Sequence, residues 1–269
     1  MIKDGFHFAC VLVLILVCAV PALAYPNDEV SGKSENMTSQ IYERCSQLIK
    51  DGNFFGAVSD IQSQGKPEEV AKVYEKLVLD FYWQAKSIPD VVSIARAGLQ
   101  YCLTEAERLR QSDPEGATEL KQSAKRISYN LASFTWPGWD EKGCVITHQD
   151  ILIGLDAARL NLRLVNELKD GDEAMSIAYW GLGAQLIAIQ QYDPALEAFD
   201  MAKKYARSAG SQLNELLADG YIGVTMIITG DGKGHEKLGQ IVKKLREIGS
   251  EDALFFIEQF NTALNVFIK

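Results

Sequence analysis

Apolar residues in this chain recur three and four positions apart in one segment after another, and turn residues punctuate the runs. That is the period of a helix packing one face inward. Thr38 or Ser39 can cap a first helix carrying Ile41, Cys45, Leu48 and Ile49 on one face, and Gly52-Asn53 ends it and opens a second, short helix. Pro67 opens a third, with Val70, Val73, Leu77 and Phe81 on its inner face; Pro89 opens a fourth and Asp113-Pro114 a fifth. Proline suits a first turn because the N–H groups there have no helical partner to lose. The longest break runs over 135–148, after which Thr147 caps a helix to about Leu168. Further helices are expected at about 173–190, 194–208, 212–229, 235–248 and 251–267. The run Thr225–Thr229 (TMIIT) taken alone reads as a strand, but no strand alternates with the helices. Helix after helix with short breaks predicts packed antiparallel hairpins in an all-α protein.

The N-terminus has a different pattern. Lys3 precedes an apolar run of about thirteen residues, Phe8 to Val20; Pro21 breaks it, and Ala22-Leu23-Ala24 places small residues where a signal peptidase cuts. The run is short of the roughly 20 apolar residues that a membrane span needs. Residues 1–24 are therefore expected to be a signal peptide, with export to a periplasm or the extracellular space and no membrane attachment after cleavage. Residues 25–37 are polar and turn-rich and read as a flexible linker, and 38–269 as a single helical domain closed by a C-terminal capping helix. Asn36-Met37-Thr38 is a glycosylation sequon, meaningful only in a eukaryotic secretory pathway.

Composition narrows the function. Of 269 residues, 47% are hydrophobic and 23% charged, enough to bury a sizeable core. The formal net charge of −9 argues against nucleic acid as a partner, since phosphate binding needs a basic footprint. Past the leader three cysteines remain, Cys45, Cys102 and Cys144, so at most one disulfide can form within the chain. Cys45 and Cys102 fall on helices as small buried hydrophobes; Cys144 falls in a loop and is the expected reactive thiol. His148 and His235 belong to no ligand-spaced cluster, which excludes a histidine-rich metal site. Gly230–His235 (GDGKGH) is glycine-rich before a helix, but Lys233 is followed by glycine rather than Ser or Thr, and no βαβ unit surrounds it. No cofactor, metal or catalytic set is expected.

Residues 176–209 carry the sharpest pattern. Tyr179-Trp180-Gly181-Leu182-Gly183 is followed by Leu186, then by Tyr192-Asp193-Pro194-Ala195-Leu196, Phe199 and Ala202. Small residues at Gly183, Ala195 and Ala202 let two antiparallel helices approach, and the bulky ones fill the space beside them. The stretch resembles a tetratricopeptide repeat, with Gln190 standing where that family usually has a turn glycine. Weaker echoes occur at Tyr129–Ala132, at Ile222-Gly223 with Met226, and at Gly52–Ala57. The offsets between Ala132, Gly183 and Gly223 are about 50 and about 40 residues, against about 34 in the standard repeat.

The resemblance implies a stacked solenoid of antiparallel hairpins whose first helices line a concave groove for a protein or peptide partner. Transferred by position, that groove would comprise Arg126, Tyr129 and Ser133 from one hairpin and Trp180, Ala184 and Ile187 from the next. In this register Tyr179 should join the core and Trp180 should stand partly exposed as an anchor. The implied function is that of a noncatalytic interaction scaffold. The alternative is a small-molecule or glycan-binding protein using Trp136-Pro137-Gly138-Trp139, whose two indoles could form a stacking platform or fold back to seal the space between hairpins.

Overall fold

A computed structural model describes the backbone of residues 30–268 and the side chains of 40–268. The leader, the expected cleavage site and the sequon side chain lie outside the described residues.

The described residues are helical throughout, without strands, and the helices pack in adjacent pairs. In chain order they are α1 (Val30–Lys50), α2 (Phe54–Gln62), α3 (Pro67–Trp83), α4 (Ile88–Leu109), α5 (Pro114–Phe134), a single 3-10 turn (Pro137–Trp139), α6 (His148–Leu168), α7 (Gly171–Ala188), α8 (Tyr192–Ser208), α9 (Gln212–Ile228), α10 (Lys233–Ile248) and α11 (Glu251–Phe267). No helix among them is long and apolar enough to cross a membrane.

The starts follow from capping chemistry. Asn53 Oδ1 accepts from the Gly56 N–H at 2.9 Å, Asp113 Oδ1 from Gly116 at 3.0 Å and Ser250 Oγ from Ala253 at 3.2 Å. Thr147 and Asp150 form a reciprocal box, each side chain accepting from the other's backbone N–H. Each cap satisfies a donor that the first helical turn leaves orphaned.

Two expectations about local structure change. Helix α1 begins at Val30, within the stretch read as linker. Residues 30–37 contain no proline, and once the amphipathic run from Ile41 nucleates a helix, extending it backward costs only weak propensity. The TMIIT run lies inside α9. Thr225 donates its hydroxyl to the Tyr221 carbonyl at 2.8 Å and Thr229 does the same to Thr225 at 3.1 Å, so both threonines are accommodated in the helix.

The chain divides into two compact units. In the first, residues 30–135 and 142–169, α1 packs on α2 and α3, α3 on α4 and α5, and α5 on α4 and α6. Its core holds Ile41, Tyr74, Leu77, Phe81, Ile94 and Leu120, all fully buried. In the second, residues 136–141 and 170–268, α7 and α8 form the most extensive pair, followed by α8 with α9 and α9 with α10. The 3-10 turn rests on α11 and α7. The core of this unit holds Trp136, Phe199, Tyr221 and Phe260.

Candidate functional site

In the first unit, Arg126, Tyr129 and Ser133 share a stripe of α5, being three and four residues apart. Arg126 is exposed and forked onto Glu75 of α3: Nε donates to Oε2 at 2.6 Å and Nη2 to Oε1 at 2.9 Å, with a third bond from Nη2 to Ser123 Oγ at 3.3 Å. A guanidinium held by a bidentate carboxylate has its plane fixed before any partner arrives. Tyr129 and Ser133 are half-buried beside it. At the end of α3, Tyr82 stacks on Phe134 at 3.8 Å, and the Lys86 ammonium lies 4.8 Å from the Trp83 ring centroid.

In the second unit, the Trp136–Trp139 loop folds inward. Trp136 is 1% exposed and contacts Trp139 edge-on at 5.0 Å, Trp180 at 6.2 Å, Tyr221 at 6.0 Å and Phe267 at 6.1 Å. Gly138 is required here, because a Cβ would strike the Trp136 ring. Trp139 remains half-buried, with its ring nearly parallel to that of Phe255 at 6.4 Å. Trp136 is therefore a core residue, and only Trp139 offers part of a ring to solvent.

The roles expected of Tyr179 and Trp180 are exchanged. Trp180 is 5% exposed, edge-on to Tyr221 at 5.6 Å and flanked by both loop tryptophans. Tyr179 is half-buried, stacked at 5.6 Å on the half-buried Tyr205 of α8. Successive helical residues point about 100° apart, so when the loop docks on the Trp180 side of α7, Tyr179 is left towards the edge. Ala184 and Ile187 are buried too. The transferred positions on α7 thus belong to the core, while those on α5 keep some access to solvent.

The aromatic cluster contains polar groups that sequence reasoning missed. Gln259 Oε1 accepts from the Tyr221 hydroxyl at 3.2 Å. Gln259 Nε2 and the indole N–H groups of Trp136 and Trp180 are buried with no hydrogen-bond partner among the described residues. Burial pushes the Tyr221 phenol well above its ordinary pKa, which marks the interior as poorly solvated. The doubled tryptophan motif was the signal for the cluster; nothing local to Gln259 marks it as a member.

Other titratable groups are structural in setting. Burial raises the Cys45 thiol to about 11 and the Cys102 thiol to about 12, which makes both poor nucleophiles. Cys45, Cys102 and Cys144 form no disulfide among the described residues. Asp219 of α9 joins three helices, accepting from Lys203 of α8 at 2.8 Å and Lys237 of α10 at 2.5 Å. Its burial would raise the carboxyl, but the bonds from Lys203 and Lys237 outweigh that and hold it below its usual value. His148 and His235 are exposed. The GDGKGH segment forms the turn into α10, with Gly234 tucked against Ile227. No three metal-ligating side chains gather among the described residues. An open cavity of about 400 Å³ lies between α9 and α10, lined by Gln212, Glu215, Leu216, Lys244, Glu247 and Ile248.

No protein-family model matches the chain, and no curated protein sequence does either.

Proposed function

We propose that this chain is a noncatalytic interaction scaffold, exported from the cell that makes it, whose α5 stripe receives a protein or peptide partner. The observation that carries the reading is the fork of Arg126 on Glu75, next to Tyr129 and Ser133. It supplies a pre-oriented cation beside the half-buried Tyr129 ring, whose hydroxyl oxygen is turned away from solvent, and the half-buried Ser133. Arginine and tyrosine are among the residues that dominate binding energies at protein interfaces. The tetratricopeptide-like pattern at 176–209 and the packing of helices in adjacent pairs support the scaffold class. Since α7 buries its three transferred positions, the proposal rests on the α5 residues alone. The acidic net charge fits a protein partner better than a nucleic acid.

Affinity capture from the native source, quantified by mass spectrometry, tests the reading with three baits: the parent chain, Arg126→Ala and Tyr129→Ala. Specific partners should come down with the parent and be depleted on both variants, each of which should retain parental helicity. Equal recovery on all three baits sinks the α5 assignment. Export is tested separately by the intact mass of the native protein, which should begin at Tyr25; a mature form starting at Met1 rules it out.

A further inference from the structure

We infer that α11 is a contact between two copies of this chain, paired antiparallel about a two-fold axis at Asn261. The surface is separate from the α5 stripe and does not depend on the scaffold reading. Helix α11 buries Ala253, Phe256, Gln259, Phe260 and Ala263 against its own unit. It packs on α9, α10 and the 3-10 turn, and none of the described helices follows it. The last helix of a stacked array ordinarily turns a polar face outward. Here a second apolar stripe runs along the helix, roughly 110° round from the buried one. Leu254 is 48% and Ile268 49% exposed, Ile257 and Leu264 are half-buried, and the exposed Asn261 stands between them. Ile268 caps the helix, and its N–H still reaches the Leu264 carbonyl at 2.9 Å, so it keeps the helical register.

The spacing selects the occupant. The five positions are separated by three, four, three and four residues, the alternation with which one helix seats along another. They are also nearly symmetric about Asn261: Leu254 and Ile268 lie seven residues before and after it, Ile257 four before and Leu264 three after. An antiparallel copy related by a two-fold axis at Asn261 therefore sets Leu254 of each copy against Ile268 of the other, and Ile257 beside Leu264. That is an isologous contact, in which one patch serves both copies. The residue on the axis meets itself. A carboxamide suits that place, because it carries a donor and an acceptor and two copies can satisfy each other. A lone asparagine in an apolar seam weakens it but fixes its register. A helix of different sequence would require no symmetry about Asn261. The seam is one helix wide and about 21 Å long, well short of the roughly 1,600 Å² that a standard stable complex buries. The copies should therefore exchange between monomer and dimer rather than pair permanently.

The test uses the full chain, expressed with its leader so that any processing takes place. Sedimentation equilibrium from about 1 μM to about 1 mM should show the average mass climbing from one chain towards two, the range over which weak pairs form. Leu254→Lys sets a charge into the seam from an exposed position and should raise the dissociation constant at least roughly tenfold. Orientation is read by cross-linking in a Cys144→Ser background, which leaves only buried cysteines among the described residues. Mild oxidation should join two copies of Asn261→Cys, whose thiols meet at the axis. It should not join two copies of Leu254→Cys, which the antiparallel pairing holds about 21 Å apart, beyond the roughly 7 Å between Cα atoms that a disulfide can bridge. The inference is overturned if the parent stays a single chain at every concentration, since the stripe then faces another partner or water. It is also overturned if Leu254→Lys associates like the parent, or if Leu254→Cys cross-links as readily as Asn261→Cys. Sedimentation of the unmutated protein decides the first point whatever the variants do.

Discussion

Gly183 of α7 lies so close to Phe199 of α8 that a Cβ built on it would come within 2.6 Å of the ring. Phe199 has no room to retreat, being fully buried and stacked on Tyr221 at 5.4 Å. Alanine is the better helix former by about 1 kcal/mol, yet Gly183→Ala should be net destabilising. Overpacking of this kind costs roughly 1–3 kcal/mol. Urea unfolding followed by circular dichroism should show a lower midpoint; a variant as stable as the parent would mean that the two helices are further apart. Ala195→Leu, at a fully buried position of α8, should lose stability for the same reason.

Tyr179 and Trp180 are separable by mutation. Trp180→Ala removes a buried indole and should cost about 3–5 kcal/mol. Tyr179→Ala gives up a half-buried stack on Tyr205 and should cost about 1 kcal/mol. Thermal melts of the two variants check the order. If Tyr179→Ala melted lower than Trp180→Ala, the assignment of the two rings would be reversed.

Gln190 occupies the left-handed region at φ 61 between α7 and α8. That conformation strains a residue with a Cβ by about 1–2 kcal/mol, part of which glycine gives back through its freer unfolded chain. Gln190→Gly should therefore stabilise the protein by about 0.5–1 kcal/mol, visible as a higher denaturation midpoint without change in slope.

Asp219 couples stability to pH. Despite its burial, the bonds from Lys203 and Lys237 hold its folded-state pKa below the ordinary carboxylate value. A depressed carboxyl stabilises the fold fully above its unfolded pKa and loses that contribution as pH falls through the lower folded value. Unfolding measured from neutral to acidic pH should show a steeper acid-side loss in the parent than in Asp219→Asn. Asp219→Asn should already be the less stable of the two at pH 7.

Thiol labelling separates the three cysteines of the described residues. Cys45 and Cys102 are buried, with pKa values raised to about 11 and about 12, whereas Cys144 is half-buried in a loop. Iodoacetamide at pH 8 should modify Cys144 first in the native protein and reach the other two only after denaturation. Peptide mapping after a short pulse reads the order directly.

Much of the architecture was legible in the residues. Prolines 67, 89 and 114 stand in the first turns of α3, α4 and α5, Thr147 caps α6, and the long break lies between Phe134 and His148. These signals are local, which is why they could be read. The facing of α7 was less legible because it carries apolar residues on every side, so periodicity selects no stripe. Whether Tyr179 or Trp180 turns inward is decided by Trp136, a residue far off in sequence. Gln259 lies further off still, on α11, and joins the cluster only through the tertiary fold.

The turn that carries Trp136 and Trp139 has a consequence for inheritance. The chain leaves the first unit after Thr135, contributes residues 136–141 to the second, and returns at 142 for all of α6 before crossing again at 170. A gene fragment encoding 170–268 would lack the indole that fills the space beside Tyr221. One encoding 30–169 would carry that indole with no neighbours from the second unit to receive it. Neither unit can travel between genes as a contiguous cassette, so recombination and duplication must move the pair together. Divergence of the turn in one lineage should be matched by compensating change in α7, α9 and α11 rather than in the helices that flank it along the chain.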